Sequence, residues 1–205
     1  MSRASSKAVW HLAPVEPPAA QRPDDARRIA ASPCQRHNPR MRTHGAALAD
    51  DLEAKLRDIE ATLRQASDAQ WRAVCVSEGW PVGLVAFHLA LHMERPAGWI
   101  EDALAGKPPF EFSSDETDAL NAAVAGYGIL PSKSFVLGAL AGAGSRIQAT
   151  LRAMTDADFE RDALIDRSGG VREAKIASVR GMMRVVMRRT DDHFASIRAA
   201  MAGVA

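Results

Sequence analysis

Pro81-Val-Gly-Leu-Val-Ala-Phe-His88-Leu-Ala-Leu-His92-Met-Glu-Arg-Pro96-Ala-Gly-Trp-Ile-Glu-Asp-Ala-Leu104 is the stretch that decides the fold. A proline is welcome in the first turn of a helix, where its missing N–H would have had no partner anyway. As far as His92 the segment is apolar nearly all round, the pattern of a helix in the middle of a bundle. His88 and His92 stand four residues apart, so they project within about 40° of each other on one stripe. Pro96 offers no N–H to the carbonyl of His92, which predicts a kink or a loosened turn there.

Working outward, Leu48, Leu52, Leu56, Ile59 and Leu63 recur at spacings of three and four between Ala46 and about Ala66, the mark of a strongly amphipathic helix. Ser67 to Pro81 reads as a connector. After Leu104, Gly106, Pro108 and Pro109 stop the chain, and residues 115–126 read as a short helix opened by Ser114 or Asp115. Pro131 starts another helix that runs to about Met154 through Phe135, Leu137, Leu140, Ile147 and Leu151. Gly138, Gly142 and Gly144 weaken it and admit a close neighbour. Thr155 is placed to cap a turn, and an irregular stretch centres on Ser168-Gly-Gly. Ser178 caps a last helix to about Met201, with Met182, Val185, Val186, Arg189, His193 and Ile197 along one side. Four long helices with one polar crossover predict an all-α, up-down-type four-helix bundle over residues 46–203.

The totals agree with one domain: 205 residues, 47% apolar and 25% charged, with only 5% aromatic. Residues 1–45 hold six of the eleven prolines and eight Lys/Arg against three Asp/Glu. No apolar periodicity runs through them, so a disordered tail is expected. Its Arg- and Ser-rich start has the composition of a transit peptide, but Asp24, Asp25 and the prolines spoil an amphipathic helix. Met41 offers an alternative start. The remaining 18 basic and 22 acidic residues leave the body near −4, which argues against a nucleic-acid surface.

Cys34 and Cys75 are the only cysteines and form no CxxC, so neither a disulfide framework nor a thiolate zinc site is expected. That sparing use of cysteine suits a reducing compartment, no apolar run reaches the length of about 18 residues needed to span a membrane, and the first residues lack the apolar stretch of a secretory signal, so a cytoplasmic protein is expected. No Gly-rich phosphate loop or GxSxG occurs, which leaves kinase-like, Rossmann and hydrolase-elbow readings without support.

Chemistry therefore rests on histidines. His88 sits amid Leu84, Val85, Leu89 and Leu91; it is either a buried imidazole bonded to a neighbour or a metal ligand, with His92 beside it. His193 lies on the apolar stripe of the last helix, four residues after Arg189 and next to Asp191 and Asp192.

The stretch Glu78-Gly-Trp-Pro-Val-Gly-Leu-Val-Ala-Phe-His88-Leu-Ala, with the terminal His193-Phe-Ala-Ser-Ile-Arg-Ala-Ala-Met, resembles the DinB/YfiT superfamily, which includes mycothiol-dependent maleylpyruvate isomerases. The resemblance covers about residues 46–203. It implies a four-helix bundle holding a divalent metal, often zinc or nickel, on one histidine of the second helix and an HxxxH or ExxxH pair of the last. His88 then matches the first ligand and His193 the last, while the middle one falls on Arg189. A guanidinium carries only donors and stays protonated, so it repels a cation.

Three outcomes follow. The metal is kept by His88, His193 and His92, or by an aspartate such as Asp192. Alternatively the metal is lost and Arg189 pairs with Glu94 or Asp192. In the third, Arg189 receives an anionic ligand. The function readings are a metal-dependent enzyme using a low-molecular-weight thiol for transfer or isomerisation, a non-catalytic bundle that binds an anionic small molecule, and a module that forms a homodimer through its helix faces.

Overall fold

In a computed structural model, which describes residues 43–126, 129–168 and 174–204, the first helix begins earlier than the apolar pattern does. Thr43 accepts from the Ala46 N–H at 3.1 Å and opens α1 (His44–Gln65), so His44 belongs to the helix and not to a tail. The tail itself, up to residue 42, lies outside the described residues. Ala49, Leu52, Leu56, Ile59 and Leu63 form the buried face of α1.

The connector is more ordered than its sequence implied. Ser67 and Gln70 make a capping box on the short α2 (Asp68–Arg72), and β1 (Val74–Cys75) pairs antiparallel with β2 (Trp80–Pro81). Gly79, at φ +69°, takes the left-handed conformation this turn requires, and its N–H donates to the Cys75 carbonyl at 2.8 Å. Then α3 (Val82–Leu104) runs through Pro96 without a break in the assigned helix. Gly83 lets it lie against the Trp71 indole, where a Cβ would come within 2.4 Å of the ring.

β3 (Phe110–Phe112) and α4 (Ser114–Gly126) follow. α5 (Lys133–Ala153) is capped by Ser132, whose hydroxyl accepts from the Phe135 N–H. A 3₁₀ turn at Asp156–Glu160, boxed by Thr155 and Asp158, leads to β4 (Asp162–Asp166) and β5 (Lys175–Ser178). Ser178 caps α6 (Val179–Ala202) by accepting from the Gly181 N–H. On α5 the buried positions are Val136, Leu140, Ala143, Gly144, Ile147 and Leu151, whereas Phe135 is 57% exposed.

The long helices pack in the ring order α1–α5–α3–α6, so α1 and α3 lie diagonally although they are neighbours in sequence. This refines the simple up-down order expected. Leu52, Ile59, Leu89, Met93, Ile100, Leu140, Ile147 and Ile197 fill the centre, and each contributes about 1.5–3 kcal/mol by leaving water. Beside the bundle stands a three-stranded sheet, absent from the sequence reading, in the order β3–β4–β5, with β3 parallel and β5 antiparallel to β4. Trp99 of α3 stacks on Phe110 at 4.8 Å and fastens the sheet to the bundle. No helix among the described residues is long and apolar enough to cross a membrane.

Candidate functional site

Three imidazoles meet where α3 faces α6. The His88 and His193 ring centroids are 5.1 Å apart and nearly perpendicular, and His92 stands 6.3 Å from each. Helical spacing explains this: His88 and His92 lie one turn apart on α3, and His193 answers from α6. Trp80 touches His88 edge-on at 5.6 Å. Burial lowers both His88 and His92 to about 4, with further lowering of His88 by the neighbouring His193 and of His92 by His88. Both rings are therefore neutral near pH 7.

Behind His193 lies a residue that the sequence reading had not singled out for chemistry. Glu78 sits in the tight turn between β1 and β2, and its Oε1 is 2.8 Å from His193 Nδ1. Ser196 Oγ donates to the other carboxylate oxygen at 2.6 Å, and Ser77 Oγ donates to it at 2.9 Å. Both members of the Glu78–His193 pair are largely shielded, at 13% and 14% side-chain exposure. Burial alone would raise the Glu78 carboxyl, but the hydrogen bonds from Ser196, His193 and Ser77 outweigh it and hold the group below its ordinary range. An ionised carboxylate only accepts, so Nδ1 is the donor and a neutral His193 keeps its lone pair on Nε2. Nearby Cys75 is buried, and burial pushes its thiol up to about 11; it is no nucleophile.

The imidazoles line one end of a cavity of about 750 Å³. Trp99, Phe112, Leu164, Met182 and Val185 give it an apolar wall, and Arg95, Lys175, Arg188 and Arg189 bring four cations against Asp118 and Asp166. Hydrogen bonds donated by the Ser168 side chain and backbone N–H, and then the charge of Lys175, hold the Asp166 carboxyl below its ordinary range. Arg95 lies over the Trp99 ring at 5.2 Å. Arg188 and Arg189 make no ion pair among the described residues.

The expected residues thus fare differently. His88, His92, His193 and Arg189 come together at the cavity, whereas Asp192 is exposed on α6 and does not line it. One position before His193, about 100° round the axis, Asp192 lies on the exposed side of α6. Glu94 is taken by Arg146, which also binds Glu101; it is not the partner of Arg189.

A divalent ion does not fit these groups as they stand. His92 turns Nε2 toward the Val186 carbonyl at 3.4 Å, and Arg189 brings a permanent cation into the cavity. Among the described residues no three His, Cys, Asp or Glu side chains are arranged to hold a metal ion.

Comparison with known proteins adds the family. The model of the DinB superfamily matches residues 51–197. The chain belongs to the DinB superfamily. Glu78, His88, His92, Arg189 and His193 all lie within the matched span. This DinB-superfamily chain is also similar to YfiT from Bacillus subtilis, with a TM-score of 0.55 and 21% identity over 74% of this chain and 85% of that one. YfiT is described as a probable metal-dependent hydrolase with an unusual four-helix bundle topology. No protein of curated function matches the chain.

Proposed function

We propose that this DinB-superfamily protein binds a small organic anion in the cavity between α3, α6 and the sheet, without a resident metal ion. The observation that carries this reading is Arg189, which lines the cavity at the position where the family resemblance calls for a metal ligand. Lys175, Arg95 and Arg188 add to its charge, while the neutral His88 and His92 add none. The apolar wall selects an anion with a hydrocarbon body. A guanidinium receives a carboxylate through two parallel hydrogen bonds.

Calorimetry with (3S)-3-methyl-2-oxopentanoate tests it, with the uncharged ketone 3-methyl-2-pentanone as control. The carboxylate is expected to bind one per chain, more weakly as salt rises, and the ketone not to bind. Losing a charged hydrogen bond costs about 1.5–3 kcal/mol, so R189Q should weaken binding roughly tenfold or more. No heat with the wild type, or equal affinity in R189Q, overturns the reading.

One observation favours a second reading: three imidazoles lie within 6.3 Å of one another, and a carboxylate fixes His193. With His92 turned inward, His88, His92 and His193 would supply the three protein ligands of a catalytic zinc site. Such a protein would be a metal-dependent hydrolase of the kind YfiT is described to be, or a transferase or isomerase using a low-molecular-weight thiol. Elemental analysis of untagged protein separates the two. One zinc or nickel per chain would replace the first reading by the second; neither metal, before or after addition, would eliminate the second.

A further inference from the structure

Glu78 is not needed to hold an anion. It lies off the cavity, behind His193, and three groups converge on its carboxylate: His193 Nδ1 and the Ser77 and Ser196 hydroxyls. A buried carboxylate that accepts from one imidazole nitrogen fixes the tautomer and stabilises the imidazolium once the other nitrogen takes up a proton. His193 itself lines the cavity, and Arg189 lies four residues away on α6. Residues four apart on a helix are neighbours on its surface, so a carboxylate on the guanidinium has its adjoining carbons beside the imidazole.

The geometry points to Glu78 and His193 as a proton-accepting pair that removes an acidic C–H beside a carbonyl of the carboxylate bound on Arg189. This inference rests on the anion-binding reading. In the step, the C–H bond breaks and the proton passes to His193 Nε2. The electron pair moves onto the carbonyl oxygen to give an enolate, whose charge faces Arg189. Glu78 stabilises the imidazolium. Return of the proton to the same carbon exchanges or inverts it; return to a more distant carbon of a conjugated ligand shifts the double bond. No oxidant, reductant or second reactant enters. His193 is the catalytic residue and Glu78 a positioning residue.

The full-length protein is incubated in D₂O with (3S)-3-methyl-2-oxopentanoate, and deuterium at C3 is followed by NMR together with the loss of optical rotation. Exchange is expected to exceed that in buffer containing an equal concentration of free imidazole, and to vanish in H193Q. General-base contributions run to about 100-fold or more, so E78Q should lose at least tenfold in the rate at saturating probe, and E78D should recover part of it. Binding of the probe without exchange above the imidazole control overturns the inference and leaves the anion reading standing. Absence of binding overturns the anion reading and this one with it. Should the variants fold poorly by circular dichroism, ¹⁵N NMR of the wild type decides: His193 protonated on Nδ1 is expected, and protonation on Nε2 alone overturns the inference.

Discussion

Arg189 differs from the histidine or glutamate expected at its position in one respect that governs the cavity: it donates and never accepts. R189H supplies an accepting imidazole one turn before His193 and facing His88. This variant is expected to take up zinc or nickel at close to one per chain while the wild type takes up little, as read by elemental analysis after desalting. An R189H protein that stays metal-free would show that the backbone of α3 and α6 is not set for a metal. His88 and His92 give a second test. Each is about 4 in the fold against an ordinary 6.5, so between those values the unfolded chain binds more protons than the native one. Stability should therefore hold above pH 6.5, fall as pH drops toward 4, and level off with respect to these two groups below that. Thermal melts of H88Q should show a flatter decline over the same window; an unchanged slope would contradict the burial of His88. Much of this site was legible, because residues four apart on one apolar helical stripe meet whatever they face. Glu78 was not: it belongs to a connector, and nothing in spacing links it to a histidine 115 residues away. Its only signal was a lone carboxylate just ahead of the helix that carries His88.

The three glycines of α5 look alike in sequence and play different parts. A Cβ on Gly144 would meet Leu56 at 2.5 Å, whereas Gly138 and Gly142 have open space around them. Helix interiors favour alanine over glycine by about 0.5–1 kcal/mol, so G142A should stabilise the protein by that amount in urea denaturation. G83A should do the reverse, since its methyl would strike the Trp71 ring, and overpacking costs about 1–3 kcal/mol. A G83A protein as stable as the wild type would mean that Trp71 can retreat. Helices were legible here through caps and apolar spacing: Thr155 and Ser178 stand where their positions in the sequence put them, while α5 opens on Ser132 rather than on Pro131. The strands were not. Phe110-Glu-Phe is too short to declare a period, and its partner is supplied by a remote segment with no pattern of its own.

Across the whole molecule, the ring α1–α5–α3–α6 sets His88 and His92 against α6, and leaves one flank of α3 for the sheet. A ligand held between such separate parts ties them together. At a hundred times its dissociation constant an anion adds about 2.7 kcal/mol, so the melting temperature should rise by roughly 5–10 °C for a domain of this size. R189Q should show little of that rise. The wall that completes the cavity has a history of its own. Phe110 of β3 meets Leu164 of β4 only after α4 and α5 have been laid down between them, and a closure over so long a loop waits for the intervening chain to settle. The edge that finishes the cavity is thus expected to assemble late. Amide hydrogens of Glu111 and Ile165 should exchange with solvent well before those of Leu89 and Ile147. Opening of that wall would then be a partial, reversible unfolding that spares the four helices.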